Sequence, residues 1–116
     1  VEAYAVNVAV ASNARDKTGK FGFANLRSEI AWKLREALDP TSEYAIALPP
    51  IRRVKTDLCA ARYRVIKSGI QVESKDDIKK RIGFSPDYGD AIMLLWHGVN
   101  KPPREVKRHA DNPFYR

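Results

Sequence analysis

The pattern of apolar and polar positions changes period along the chain, which predicts both helices and strands. Apolar residues recur at every fourth position from Leu26 to Leu38, as they do on one face of an α-helix. Residues 23–40 are therefore predicted to form a helix that ends at Asp39-Pro40, because the residue before a proline disfavours helical dihedral angles. Trp32 lies opposite the apolar face and is expected to pack against a second surface.

Two apolar segments on either side of this helix are predicted to be strands. Residues 1–11 are rich in small and β-branched apolar side chains, and residues 44–48 form a short apolar run before two prolines. Residues 12–22 are rich in turn-forming side chains and are predicted to be a loop. Residues 51–58 have the apolar spacing of a short helix.

A β-hairpin is predicted over residues 62–73, and two helices after it. The arms of the hairpin are joined by Ser68-Gly69, since glycine accepts a positive φ in a two-residue turn. Ser74 begins a capping-box pattern, and Gly83 suits the end of that helix. Ser85 and Pro86 are expected to supply the N-cap and first residue of the last helix, whose run AIMLLW predicts deep burial.

Two carboxylates, Asp87 and Asp90, precede that apolar run and lie three positions apart, so both can point to one side of the helix. Asp87 suits either a metal ligand or an acid that offsets the helix dipole. Asp90 adjoins residues expected to be buried, where a lone carboxylate is costly unless it is paired or bound to metal. The alternatives for Asp90 are an exposed helix edge or a salt bridge to Lys79, Lys80 or Arg81.

Hard cations such as Mg²⁺ and Mn²⁺ prefer carboxylate oxygens. Hydrolysis by two metal ions needs several acids that hold the ions about 3.5–4 Å apart. The other acids look like helix-surface, cap or loop residues, and none ends an obvious central strand: Glu29, Glu36, Asp39, Asp57, Glu73, Asp76 and Asp77. The sequence therefore indicates part of a metal site.

The charge of the chain adds a second indication. The formal net charge is +7 and the pI is about 9.7. Ten Lys and Arg residues but only four acids fall within residues 51–81. Such a surplus favours polyanionic partners; the alternative is a solvated surface with lysine-rich helix faces.

The length of 116 residues, with 44% hydrophobic side chains, suits one compact domain over residues 1–98. Residues 99–116 are expected to be a flexible, basic, proline-containing tail. A single Cys59 excludes an internal disulfide and fits a reducing compartment. No apolar run approaches the ~18 residues that span a bilayer, and residues 1–10 are predicted to be a strand and not a signal peptide, so no membrane partner is expected.

Taken in order, three segments resemble a known family: FANLRSEIAWKLREAL, IALPP and DLCAARYRVIKSGIQVESKDDIKKRIGFSPDYGDAIML. They are similar to the C-terminal part of the nuclease domain of tailed-phage large terminase subunits, which has a ribonuclease-H-like fold. The resemblance covers about residues 4–96, and its more specific part is ESKDDIKKR followed by SPDYGDA.

The resemblance implies a partial ribonuclease-H-like α/β layered domain with a short parallel sheet, a β-hairpin and flanking helices. It implies an endonuclease that uses Mg²⁺ or Mn²⁺ to cut concatemeric double-stranded DNA in the cytoplasm of a bacterial host. The family's third metal-binding acid falls on Asp90, the implied catalytic residue, with Asp87 as a second metal ligand. The residues implied to touch DNA are Arg62, Arg64, Lys67, Lys75, Lys79 and Lys80. The portal and small terminase subunit are the implied protein partners.

The chain departs from the family in two ways. The family's first two metal-binding acids would precede Val1, and the ATPase motor domain is not present; Thr18-Gly19-Lys20 lacks a full phosphate-binding loop. We therefore expect an excerpt of a larger nuclease or a truncated prophage product, inactive or very weak alone. The alternatives are a non-catalytic module that binds nucleic acid or serves assembly, and an α/β scaffold for protein partners.

Overall fold

The structure, a computed structural model, describes residues 6–99. These residues form a mixed α/β fold of four helices and one two-stranded antiparallel hairpin. In chain order the elements are α1 (Leu26–Leu38), α2 (Arg52–Ala60), β1 (Tyr63–Ile66), β2 (Gly69–Val72), α3 (Lys75–Ile82) and α4 (Asp87–Val99). None of the described helices is long and apolar enough to cross a membrane.

The predicted first helix is confirmed as α1. The Asn25 side chain caps it by accepting a hydrogen bond from the Ser28 N–H at 2.9 Å. Ile30, Leu34 and Ala37 are each 3% exposed, so the four-residue apolar period faces the core. Burial of one large aliphatic side chain contributes about 1.5–3 kcal/mol, which makes this face the main anchor of the helix.

The hairpin packs on α1 through β2. Ile70 and Val72 are buried with Phe23 in one cluster, and the half-buried Trp32 packs against it, as its position opposite the apolar face of α1 predicted. The fully buried Ser28 hydroxyl accepts the Val72 N–H at 2.9 Å. An isolated parallel bridge joins Phe23 to Ile70; it is the single parallel strand contact among residues 6–99.

The predicted strand over residues 1–11 is wrong for its described part, residues 6–11. The carbonyls of Val10 and Val8 accept hydrogen bonds from Leu26 N–H at 2.8 Å and Arg27 N–H at 2.9 Å. These are the first amides of α1, which have no partner within the helix. The segment therefore satisfies a helix terminus and does not pair in a sheet; residues 1–5 lie outside the described part.

The strand predicted over residues 44–48 is also wrong. No described strand pairs with this segment, and an apolar run becomes a strand only beside another backbone. The short helix predicted over residues 51–58 is confirmed as α2, and the helix after Ser74 is confirmed as α3. The Ser74 hydroxyl accepts from Asp77 N–H at 3.1 Å, and Gly83 closes α3 with φ +87°.

The hairpin is confirmed, but its turn was predicted one residue too late. The turn is Lys67-Ser68, and Gly69 is already paired with Ile66. Gly69 has φ +124°, and a Cβ there would lie 2.2 Å from the carbonyl oxygen of Gly22. The glycine is therefore needed for close approach of the neighbouring backbone as well as for its dihedral angle.

The prediction of a deeply buried last helix is wrong. Only Gly89 of α4 is buried, whereas Leu95 is 64% and Val99 is 69% exposed. The physical reason is that α4 packs on α1 and α2 with one face, and no described element covers the other. Hydropathy measures the capacity of a helix for burial, and it does not supply the covering surface. The predicted tail, beyond Val99, lies outside the described residues.

Candidate metal centre and its basic surroundings

The start of α4 is fixed by a buried acid on α2. Asp57 has a fully buried side chain, and its Oδ2 accepts hydrogen bonds from Tyr88 N–H at 2.9 Å and Gly89 N–H at 3.1 Å. Its Oδ1 accepts from Arg53 Nε at 2.9 Å. The carboxylate thus caps a helix from another element, and the helix dipole adds to the attraction.

This contact corrects the predicted cap. Asp90 N–H donates to Pro86 O at 3.0 Å, so Pro86 is the N-cap and α4 begins at Asp87. The Ser85 hydroxyl instead donates to Asp87 Oδ1 at 2.8 Å. Because Asp57 already satisfies the amides of the first turn, Ser85 is not needed as a cap. Asp87 and Asp90 still lie three residues apart, one position earlier in the helix than predicted.

Asp90 is the partly buried acid of the site, with 13% of its side chain exposed. Arg27 on α1 contacts both of its oxygens through Nη1, at 3.3 and 3.4 Å. The same guanidinium donates from Nε to the carbonyl of Glu73 at 3.1 Å. Arg27 therefore connects α1, the end of the hairpin and α4, and it brings a cation to Asp90 that the sequence did not predict.

Lys75 on α3 joins the two predicted metal ligands. Its Nζ lies 2.8 Å from Asp87 Oδ1 and 3.3 Å from Asp90 Oδ2. Asp87 is 68% exposed, whereas Asp90 is largely covered. The two carboxylates therefore converge on one cation, with Asp90 on the inner side and Asp87 on the solvent side.

The charges of this cluster reinforce one another. The hydrogen bond to Asp87 is the main reason that the pKa of Lys75 is raised, and Asp90 adds to the effect. The same hydrogen bond lowers the pKa of Asp87, with a further contribution from Ser85. The Asp87 contribution to stability is present above the ordinary carboxyl pKa of about 3.9 and is lost as the pH falls through the lower folded value.

The contribution of Lys75 to stability changes with pH in the opposite direction. It is fully present below the ordinary lysine pKa of about 10.4, and it is lost as the pH rises through the raised folded value. Lys75 therefore carries its charge at neutral pH, together with ionised Asp87. Any metal ion that binds the two aspartates at neutral pH must compete with this ammonium group.

The two covered acids, Asp90 and Asp57, differ in the lengths of their contacts. All contacts of Asp90 with Arg27 and Lys75 are 3.3–3.4 Å long. Charge-assisted N–H···O⁻ bonds are usually about 2.7–2.9 Å, so Asp90 is loosely held. Asp57 makes three bonds of 2.9–3.1 Å on both oxygens and has no such freedom. Of these two, Asp90 is the acid that can rearrange around a metal ion.

The other predicted DNA-binding cations are exposed but do not touch the aspartates. Arg64 donates to Gln71 at 2.7 Å across the hairpin, and Lys67 lies in the turn. Arg62, Lys79 and Lys80 are also exposed. Arg81, one of the proposed partners of Asp90, pairs with Glu73 at 2.6 Å instead. Of the predicted DNA-binding residues, the structure thus brings only Lys75 into contact with Asp87 and Asp90.

Sequence reasoning missed the roles of Asp57 and Arg27. The sequence predicts a surface, cap or loop role for Asp57, although this residue lies three positions after the buried Val54 on the apolar side of α2. That helical spacing was the available signal. Arg27 is 63 residues from Asp90 in sequence, and no local pattern indicates such a contact.

Asp87 and Asp90 supply two carboxylate donors, which is fewer than a complete metal site needs. Among residues 6–99, no group of three or more His, Cys, Asp or Glu side chains could hold a metal ion. Two converging carboxylates fit one side of a hard divalent cation, which takes oxygen ligands. No protein-family model, curated protein or solved structure matches the chain.

Proposed function

We propose that this chain is the C-terminal portion of a metal-dependent DNA endonuclease domain of the terminase type, with a ribonuclease-H-like fold, acting on concatemeric double-stranded DNA in a bacterial host cell. The observation that carries the proposal is the convergence of Asp87 and Asp90 on the Lys75 ammonium group, at 2.8 and 3.3 Å. The ammonium marks a position where two carboxylates already stabilise positive charge.

Mg²⁺ or Mn²⁺ is the cation proposed for this position in the functional domain. When bound, a divalent ion polarises phosphoryl oxygens and orients the attacking water. Asp90 supplies the inner ligand because it is covered and loosely held, and Asp87 supplies the outer one. In this proposal, acids outside this pair supply the rest of the site.

The surface of α4 supports a larger domain around the pair. Leu95 and Val99 expose 64% and 69% of their surfaces on a helix with almost no polar residues after its first turn. Exposed apolar surface of this kind is typical of a face that other protein covers. In the proposed nuclease, further protein covers this face and extends the parallel contact between Phe23 and Ile70 into a sheet.

The exposed cations supply the proposed contacts to DNA. Arg62, Arg64 and Lys67 lie on the hairpin, and Lys79 and Lys80 lie on α3, which begins with Lys75. Scattered Lys and Arg side chains bind phosphates with little sequence preference and with strong salt dependence. In this proposal, Lys75 leaves the aspartates for a phosphate oxygen when a metal ion binds.

Replacement of Lys75 by Met is expected to raise the Mn²⁺ affinity of the aspartate pair roughly tenfold. A unit charge about 4 Å from another is worth about 1 kcal/mol in water and a divalent ion doubles this, before screening by salt. The measurement, at neutral pH, is the Mn²⁺ concentration at which broadening halves the intensity of the Asp87 and Asp90 backbone amide signals.

Lys79→Met is the matched control for this prediction, since it removes the same charge from an exposed position on the same helix. It is expected to change the Mn²⁺ affinity less than twofold. Equal effects of Lys75→Met and Lys79→Met, or a weaker affinity in Lys75→Met, would contradict the assignment of Lys75 to the cation position.

A second candidate function is a non-catalytic module that binds nucleic acid or serves assembly. It is favoured by the lack of a third metal donor beside Asp87 and Asp90 within residues 6–99. A plasmid-nicking assay with Mn²⁺ on the full-length protein separates the two candidates. Nicking that is lost in Asp90→Asn supports the endonuclease, and DNA binding without nicking supports the module.

A further inference from the structure

We infer that one face of β1, together with the basic cleft beside it, binds single-stranded nucleic acid. The inference rests on the proposed function only in the premise that the ligand is a nucleic acid. It adds single-stranded nucleic acid as a second ligand. Tyr63 and Val65 pair with Val72 and Ile70, which are buried in the core cluster. Yet 53% of Tyr63 and 56% of Val65 remain exposed, so this face of β1 extends beyond the cover that α1 provides.

Tyr63 is held in place by an aromatic and a cationic neighbour. Its ring centroid lies 4.8 Å from that of Trp32 in an edge-to-face arrangement of 73°. The guanidinium carbon of Arg35 lies 4.3 Å from the Trp32 centroid and 5.3 Å from the Tyr63 centroid. The cleft of about 760 Å³ beside this pair is lined by three arginines and four acids: Arg27, Arg35, Arg62, Glu36, Asp39, Asp57 and Asp90. An exposed aromatic ring that contacts a guanidinium group, as Tyr63 contacts Arg35, is the arrangement on which unpaired bases stack.

A basic cleft continues from the other end of β1. It has a volume of about 490 Å³ and lies between residues 12–23 and the hairpin turn. Arg15, Lys20 and Lys67 line it together with Val65, and no Asp or Glu side chain lines it. Three cations without an acid attract phosphate groups. A nucleic-acid strand that lies along β1 could therefore stack a base on Tyr63 and place a phosphate in this cleft.

A second aromatic pair in the described part of the chain provides a comparison. Tyr44 and Trp96 also meet edge to face, with centroids 5.1 Å apart, and Tyr44 is 47% exposed. The cleft beside them is lined by three glutamates and two lysines: Glu29, Glu36, Glu43, Lys17 and Lys33. Neither aromatic pair therefore has a purely basic cleft directly beside it. Of these two pairs, the Tyr63 pair is the one on the strand whose other end adjoins the cleft without an acid.

The ligand is single-stranded because a duplex conceals the faces of its bases. The four residues of β1 extend about 13 Å at roughly 3.3 Å per residue, which accommodates a few unpaired nucleotides. Asp90 lines the same cleft as Tyr63, but stacking on the Tyr63 ring does not use the carboxylate, so binding there requires no metal ion. An unpaired stretch of a DNA or RNA strand is the ligand that this chemistry recognises.

The test is fluorescence anisotropy with a labelled eight-nucleotide oligothymidylate at low salt and without divalent ions. Tyr63→Ala is expected to lower the affinity about tenfold, since stacking of one base is worth about 1–3 kcal/mol. Tyr63→Phe keeps the ring and is expected to stay within twofold of the native chain. Tyr44→Ala, the matched control, is also expected to stay within twofold.

Two further readouts separate stacking from general charge and from misfolding. Tyr63→Ala is expected to leave the affinity for a short duplex within twofold, and Lys20→Gln is expected to reduce the salt slope for the oligothymidylate by about 0.7. If Tyr63→Ala does not fold, the indole N–H signal of Trp32 in the native chain decides. A shift on addition of the oligothymidylate supports the inference, and no shift overturns it.

Lack of oligothymidylate binding by the native chain, an unchanged affinity in folded Tyr63→Ala, or an equal loss for duplex would also overturn it. A failure of metal binding at Asp90 would leave all these results unaffected, because no metal is added. The two proposals can therefore fail independently.

Discussion

Replacement of Asp57 by Ala is expected to destabilise the protein by about 3 kcal/mol. The substitution removes the acceptor for the Tyr88 and Gly89 amides, and loss of a helix cap alone costs about 0.5–2 kcal/mol. It also removes the salt-bridge partner of Arg53 and opens space between α2 and α4. These helices are closely packed, since a Cβ on Gly89 would lie 2.8 Å from Asp57 Cβ. In a domain of this size the thermal midpoint should fall by roughly 12–24 °C.

Asp76→Ala is the matched control, because Asp76 is an exposed acid in the first turn of α3. Its free energy of unfolding should stay within about 0.5 kcal/mol of the native value. Thermal unfolding followed by circular dichroism measures both variants. Asp57→Asn should fall between the two, since an amide oxygen can still accept from the helix amides. A thermal midpoint of Asp57→Ala equal to that of Asp76→Ala would show that Asp57 does not hold α4 in position.

Replacement of Gly69 by Ala is expected to cost about 3 kcal/mol or more. The added Cβ would lie 2.2 Å from the backbone oxygen of Gly22, and the φ of +124° is unfavourable for any L side chain. Backbone at both ends of the clash must move, which breaks the hydrogen bonds that join Ile70 to Gly22 and Ala24. Chemical denaturation with a fluorescence readout measures the change in unfolding free energy.

Gly19→Ala separates the two causes of this destabilisation. Gly19 also has a positive φ, of +75°, but an added Cβ would meet nothing within 4 Å. It should therefore cost only the dihedral strain, about 1–2 kcal/mol. Equal losses at Gly19 and Gly69 would mean that the approach of residue 22 to the hairpin is not a tight contact.

Local patterns predicted the elements whose cause is local. The apolar period of α1, the Ser74 and Gly83 signals around α3, and the alternation of the hairpin all act within a few residues. The turn was misplaced by one residue because the constraint on Gly69 comes from Gly22, which is distant in sequence. The segment 44–48 failed as a strand because pairing depends on a neighbour that its own composition does not specify.

The candidate site shows the same division. The three-residue spacing of Asp87 and Asp90 follows from sequence, and both contact Lys75. Their other partners do not follow from it: Asp90 meets Arg27 from α1, and α4 is capped by Asp57 from α2. These contacts depend on how whole helices pack, which hydropathy leaves undetermined. The exposed side of α4 has the same origin, since its apolar residues indicate what could be covered and not what covers them.

We propose Asp90 and Asp87 as the binding position for a divalent cation. The most direct test is a Mn²⁺ titration at neutral pH that follows paramagnetic broadening of the backbone amide signals, on the native chain, Asp90→Asn and the control Asp76→Asn. Broadening is expected to begin at residues 87–90, to persist in Asp76→Asn, and to be lost in Asp90→Asn. Broadening spread evenly over the exposed acids, or unchanged in folded Asp90→Asn, would contradict the proposed metal site.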